Sequence, residues 1–369
     1  MQRRQWLFGA PAVVMGLSWQ ANAQAQVACV PTPTPTPPPP TTGGIDAVAE
    51  IKALRIPSGP YKGGYELAPN GKLNWYFANL GLLPLVRVLS AADLDTHVRT
   101  YLDLYLANLE PNGSIQDIDL PYGRANPAVF KKVLSDSDDA YAATLLSLAS
   151  RYVVASGNWT WWEANKARLK DMAYRNLALT AKPSGLTSVF QSPRSQTNSI
   201  GYLMDNCEGY RGLRDFAAVL RSRSELLDAN YYDLLATNAA QGIKNLLYHL
   251  NTKSFLASDA SAVPGKVFYP DTSCQIYPQV FGLTELAPMF ANGWAYLNTY
   301  SPGWETGKYD PFPWAVLGYT AALRGQTAQA RSQMGAIEKT FVANRSLVTI
   351  NELGFYMRTR AVLDGVANA

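Results

Sequence analysis

Leu134-Ser135-Asp136-Ser137-Asp138-Asp139-Ala140-Tyr141-Ala142 places three carboxylates in four residues, directly before an apolar run that continues to Val154. Ala140 to Val154 is apolar almost all round, the pattern of a helix buried on every side. Acids at the mouth of a buried helix have two uses. They cap it: Asp136 is placed as an N-cap, Asp139 follows at the spacing of a capping box, and first-turn carboxylates complement the helix dipole. They also do chemistry, and Asp138 is the acid that this capping scheme leaves without a task.

The same all-round apolar character recurs at 73–89 and 312–323. Amphipathic helices lie between. Leu94, Val98, Tyr101, Leu102 and Tyr105 share one face of a helix carrying Asp93, Asp95 and Arg99. Trp162, Leu169, Met172, Ala173 and Leu177 lie opposite Glu163, Lys166, Lys170 and Asp171. Ala330, Met334, Ile337 and Phe341 repeat the pattern. Inner helices are expected near 73–89, 140–154, 204–220, 273–287, 312–323 and 351–364. Outer ones are expected near 46–55, 92–109, 161–180, 226–250, 289–299 and 327–342. Six of each in alternation predict an all-α (α/α)6 toroid. Joints from inner to outer are tight, as at Ser156-Gly157-Asn158 and Arg324-Gly325-Gln326. Joints from outer to inner are long, as at 110–139, 181–204 and 251–272. Parallel inner helices put every long loop and every inner N-terminus on one face, where function is expected.

Ahead of this domain, residues 1–25 read as a signal peptide. Arg3-Arg4 precedes an apolar run from Leu7 to Trp19 and an Ala-x-Ala cleavage site, Tat-like or Sec. Residues 26–44 form a Pro/Thr-rich spacer, extended and without a core. The domain is expected over 45–369 and in an exported, periplasmic or secreted protein. Cys29 follows Gln26, where a lipid-attachment signal has Leu, so anchoring there is not expected. Cys207 and Cys274 fit either a disulfide or two small buried thiols. No run beyond the leader reaches the roughly 20 apolar residues of a membrane span.

The chain has 32 basic and 28 acidic residues, and Arg3 and Arg4 fall in the leader. So balanced a charge, with no basic run between aromatics, argues against a nucleic-acid partner. Two His, His97 and His249, fall in outer-helix patterns, which argues against His-ligated zinc, paired-His epimerases and a Ser-His-Asp triad. A calcium ion held by Asp136, Asp138 and the Asp117/Asp119 loop would lack the Gly-punctuated spacing of a dedicated site. No metal and no cofactor are expected.

Each inner helix opens with acids, amides or aromatics: Trp75 after Tyr61, Tyr65 and Glu66; Asp136, Asp138 and Asp139 after Tyr122 and Arg124; Asp205, Asn206, Glu208 and Tyr210; Asp271; Trp314 after Glu305 and Asp310; Asn351 and Glu352. A mouth so lined suits a sugar. Glycoside hydrolysis needs two carboxyl groups, a proton donor and a base or nucleophile. Asp138, Glu208 and Asp139 are the expected catalytic residues, with Asp138 or Asp139 facing Glu208 across the pore. Asp136, Asp205, Tyr210, Asp271, Trp75, Tyr122 and Trp314 are expected to bind substrate.

The acid stretch resembles the signature of family 8 glycoside hydrolases, Ala-Ser/Thr-Asp-Ala/Gly-Asp-x-x-Ile/Met-Ala. Ser135, Asp136, Asp138 and Ala142 match; Leu134, Ser137 and Tyr141 depart. The resemblance implies that Asp136 and Asp138 line the cleft of an (α/α)6 barrel. That family's proton donor lies in an earlier Ser-Glu-Gly-x-Gly-Tyr segment. None precedes residue 134 here, and the similar Cys207-Glu208-Gly209-Tyr210 comes later. The opening Asp205 to Glu208 also looks like those of the wider six-hairpin glycosidase superfamily, whose fold would cover 46–367. The expected function is hydrolysis of a poly- or oligosaccharide, with inversion favoured. One alternative is a polysaccharide lyase using Tyr210 with Arg211. The other is a non-catalytic sugar-binding or envelope module whose acids only cap helices.

Overall fold

Five helix starts along the chain are fixed by side-chain caps, and these set the alternation. Asp46, Asn74, Ser90, Asn158 and Thr349 each accept a bond from the backbone amide three residues on. At the two tight joints Gly157 (φ 65°) and Gly325 (φ 68°) take the left-handed conformation that ends a helix sharply.

In the computed structural model, which describes residues 44–366, the inner helices are α2 (Trp75–Leu82), α4 (Asp139–Ser156), α6 (Leu203–Ser222), α8 (residues 273–280), α10 (Ala315–Leu323) and α12 (Ile350–Leu363). The outer ones are α1 (Ala47–Ala53), α3 (residues 91–107), α5 (Trp159–Ala173), α7 (Leu226–Gly242), α9 (Phe290–Tyr300) and α11 (Thr327–Ala343). Each inner helix packs on the next, and α12 closes onto α2. The fold is the all-α toroid that the alternation predicts. The leader and the spacer lie outside the described residues, apart from Gly44.

Glycines let the inner helices approach. A Cβ on Gly212 would sit 2.2 Å from the Ala143 carbonyl oxygen, and one on Gly81 2.6 Å from Cγ1 of Ile350. Gly354 faces Gly81 across the same seam. Between the rings, Phe216 packs tilted against Trp162 and edge to face with Tyr232, and all three are buried.

Two expectations change. The fourth inner helix ends at Val280, because Gly282 (φ 70°) turns the chain; Thr284–Met289 already belongs to the outer arm. The long loops also carry strands. β1 (Asp117–Asp119) pairs antiparallel with β2 (Lys131–Val133), and β3 (Tyr248–His249) with β4 (Ser254–Phe255). His249 therefore lies on a strand, bonded to Thr252. His97 is on the outer helix α3 against the Tyr65 hydroxyl.

The barrel lumen is filled. Asp215 accepts from Ser147, Arg151 and Arg211, and Arg358 donates to the Tyr319 hydroxyl. A cavity of about 20 Å³ remains among Glu208, Arg211, Ser147 and Arg358, room for about one water. The centre of the toroid is thus closed by side chains, rather than open as the pore expected from sequence.

Cys207 and Cys274 are both buried free thiols, and burial pushes both well up. Among the described residues no helix is long and apolar enough to cross a membrane. Among them, too, no cluster of acids, His or Cys is arranged to hold a metal.

Candidate active site at the mouth of the inner ring

The acid stretch enters α4 differently from the capping scheme. The N-cap of α4 is Asp138, and its side chain caps nothing. Its carboxylate takes Arg194 Nη1 at 3.0 Å and the Gln191 amide at 3.0 Å, while its own amide donates to the Val189 carbonyl. Asp138 thus staples the 189–194 segment to the helix mouth, and Arg194 also lies 3.7 Å over the Phe190 ring. Burial raises the Asp138 carboxyl, against the pull of Arg194.

Asp136 is two residues upstream of that cap and is buried. It lies close enough to Asp117 and Lys72 for each to feel its charge. Asp117, on β1, is fully buried and accepts from Asn74 Nδ2 (2.7 Å), the Tyr141 hydroxyl (2.8 Å) and the Trp75 amide (3.2 Å). Burial and the Asp136 charge push its carboxyl up to about 8, against those donors.

Asp139 is the first residue of α4 and has no exposed surface. Its Oδ2 accepts the Thr187 hydroxyl at 2.7 Å, and its Oδ1 the Ala140 amide at 2.8 Å. Burial pushes it well above the usual carboxylate range, and the charge of Asp205, in the first turn of α6, pushes further. Asn206 holds Thr187 in place. Its Oδ1 accepts the Thr187 amide at 2.7 Å, and its Nδ2 donates to the Tyr202 carbonyl.

Glu208 sits one turn deeper on α6. It is buried and accepts the Tyr76 hydroxyl at 2.5 Å. Asp138 and Glu208 are therefore engaged by different partners, and the carboxyl that acts most strongly on Asp139 is Asp205, ahead of Asp138.

From Asp205 the mouth continues in aromatic rings. Tyr202 feels the charges of Asp205, Asp139 and Tyr269, and burial raises it to about 12. Tyr269 lies 5.2 Å from Trp314, ring to ring, and Phe268 5.7 Å from Trp314. Trp314 precedes α10, and Glu352 of α12 accepts the Ala315 amide there. The Thr349–Glu352 capping box is thus half made. Thr349 caps its own helix, while the Glu352 carboxylate serves its neighbour.

Other expected binding residues lie elsewhere. Trp75 is wholly buried against Tyr101 and Tyr105, with its indole N–H on the Gln116 carbonyl. Tyr210 donates to Glu285 at the start of the outer arm, and Arg211 pairs with Asp215 in the filled lumen. That pair is accordingly held by partners of its own. Asp271 closes its own loop, accepting the Val267 amide and packing on Gly265. Tyr122 is exposed on the excursion that carries β1 and β2. Thr187, Gln191 and Arg194 went unmarked in the sequence, because nothing local distinguishes them.

No family model and no curated protein matches the chain. Solved structures do. A rhamnosidase from Klebsiella oxytoca with rhamnose bound superposes with a TM-score of 0.61 at 11% identity, over 89% of this chain and 66% of its own. A glycosidase variant superposes with a TM-score of 0.57 at 14% identity, over 86% of this chain and 96% of its own. At such identities the likeness is one of fold, and the fold is one that glycosidases use.

Proposed function

We propose that the chain is an exported glycoside hydrolase that cleaves a poly- or oligosaccharide by carboxylate acid/base chemistry at the mouth of the ring. The observation that carries this reading is the Asp139–Asp205 pair. Two carboxyls from adjacent inner helices lie within electrostatic reach there, one of them wholly buried and pushed up by that burial and by the other's charge. Burial first, and the Asp205 charge next, raise the Asp139 carboxyl, and a raised carboxyl is what a general acid needs.

In this reading Asp139 donates its proton to the glycosidic oxygen as the bond to the anomeric carbon breaks. Asp205 takes a proton from the water whose oxygen attacks that carbon, so the configuration inverts. Inversion requires carboxyls roughly 6.5–9.5 Å apart. Asp138 with Arg194 holds the wall, Asp136 lies by the Asp117 side, and Glu208 with Tyr76 lies one turn deeper. Tyr269 and Trp314 supply flat faces for a sugar ring. The glycosidase neighbours, one of them with rhamnose bound, support a carbohydrate as substrate.

The test is release of reducing ends from a panel of neutral, acidic and rhamnose-containing oligosaccharides. Asp139→Asn and Asp205→Asn are expected to lose turnover by about 10²–10⁴-fold with unchanged circular dichroism. Full activity in both variants sinks the assignment. Products with an ultraviolet-absorbing unsaturated end identify a lyase instead, and no cleavage at all identifies a binding module.

A further inference from the structure

Trp314 has φ +54° and ψ +56°, the left-handed conformation. Other described non-glycine residues with positive φ are Asn70, Ser224 and Lys253. Asn accepts this region readily, whereas a bulky aromatic there is a genuine outlier that persists only when its surroundings force it.

The forcing groups come from three helices. Gln333, on the outer helix α11 and wholly buried, donates Nε2 to the Pro313 carbonyl at 2.8 Å and to the Trp314 carbonyl at 2.7 Å. Glu352, on α12, accepts the amide of Ala315. Gly318, on α10, leaves the room that Gln333 fills: a Cβ there would lie 2.1 Å from Gln333 Oε1. That oxygen is buried without a hydrogen-bond partner. A glutamine buried at this cost, against a glycine inside a helix, is unfavourable for stability. What the arrangement achieves is one backbone geometry, which turns the indole onto Tyr269 and Phe268 at the mouth.

We infer that Gln333, Glu352 and Gly318 form a clamp that holds Trp314 in a strained backbone conformation so that its ring is presented as a rigid stacking platform for a sugar ring entering the mouth. The indole is the binding residue, and Gln333 and Glu352 are positioning residues. A platform locked before the ligand arrives loses no rotamer freedom on binding, and the apolar face of a neutral pyranose, a 6-deoxy sugar included, is the chemistry it fits. The inference rests on the carbohydrate reading but not on Asp139 or Asp205 as catalysts.

The experiment has two arms. In the first, Trp314→Gly and Trp314→Ala are compared by thermal melting. Both lose the ring, and only glycine relieves the backbone. Trp314→Gly is expected to melt above Trp314→Ala, and the reverse order overturns the clamp. In the second, calorimetry measures binding of rhamnose and of β-1,4-linked glucose, xylose and N-acetylglucosamine hexasaccharides. Trp314→Leu and Gln333→Leu are each expected to bind at least tenfold more weakly than the natural chain. Gly318→Ala, which pushes Gln333 from the other side, is expected to do the same where Gln333→Leu fails to fold. Natural affinity in Trp314→Leu or in the clamp variants overturns the inference. A natural chain that binds none of these sugars while Trp314→Gly still melts higher removes the carbohydrate reading and leaves the clamp as a purely structural device.

Discussion

The Thr187 hydroxyl donates to Oδ2 of Asp139 across 2.7 Å, joining the segment that precedes α6 to the first residue of α4. This is the bond that adjusts the most deeply buried carboxyl of the mouth. A hydrogen bond donated to a carboxylate favours its charged form, so it opposes the upward push of burial and of Asp205.

Thr187→Val keeps the shape and removes that donor. Asp139 then holds its proton to higher pH. With Asp139 as general acid, the alkaline limb of the kcat/KM profile moves upward, and the fold loses about 1–3 kcal/mol. A pH–rate series on the cleaved oligosaccharide checks this, and an unmoved limb counts against Asp139 as the acid.

Asp117 makes stability depend on pH. Its carboxyl ionises near 4 in the unfolded chain and at about 8 in the folded one. The penalty is absent below the lower value. As pH rises between the two, the unfolded state gives up a proton that the folded state keeps, and stability falls. The slope approaches about 1.4 kcal/mol per pH unit for this one group. Asp117→Asn cannot ionise, so its urea midpoint is expected to vary less between pH 4.5 and 7.5 than that of the natural chain.

Arg194→Met strands the Asp138 carboxylate, whose side chain is fully buried. Loss of one partner from a buried pair costs about 3–5 kcal/mol. Arg194 is partly exposed, so about 1–3 kcal/mol is expected after screening. The loosening is local: limited proteolysis should cut within 189–199 before the helices, and unchanged cleavage there contradicts the staple.

Gly212→Ala and Gly335→Ala test the packing of the ring in opposite directions. Alanine in a helix normally gains about 1 kcal/mol over glycine. At Gly335, on α11 with nothing within 4 Å of an added Cβ, that gain is expected as a higher Tm. At Gly212 the Cβ meets the Ala143 backbone, and overpacking costs about 1–3 kcal/mol. Equal melting of the two variants contradicts the close α4–α6 contact.

The ring of inner and outer helices was legible because burial imprints itself on local pattern. A helix enclosed on all sides reads apolar all round, as Ala140 to Val154 does, and joint lengths reveal which end is built up. The site was only half legible. Capping rules look three or four residues along the chain, whereas Asp138 bonds to Gln191 and Arg194 and Asp139 to Thr187, each about 50 residues away. Those rules gave Asp136 and Asp139 a structural task and singled out Asp138, yet Asp138 is the one tied to an arginine. Trp75 and Tyr210 show the same limit for aromatics. Each sits near the start of an inner helix, but the direction of a side chain about the helix axis decides between mouth and core.

Closure of the ring has a further consequence. The Tyr356 hydroxyl on the last helix donates to Glu338 and accepts the Ile45 amide at 3.2 Å, and the Ile350 amide bonds to the Leu67 carbonyl. Start and finish of the barrel are thus sewn together, and a circle has no privileged point of opening. A circular permutant that links the end of α12 to Ile45 and begins instead at Gly157 or Gly325, where an added side chain meets nothing, keeps every inner seam. A chain ending before Ile350 leaves the faces of α2 and α10 bare. The assembly is completed only when its final helix arrives.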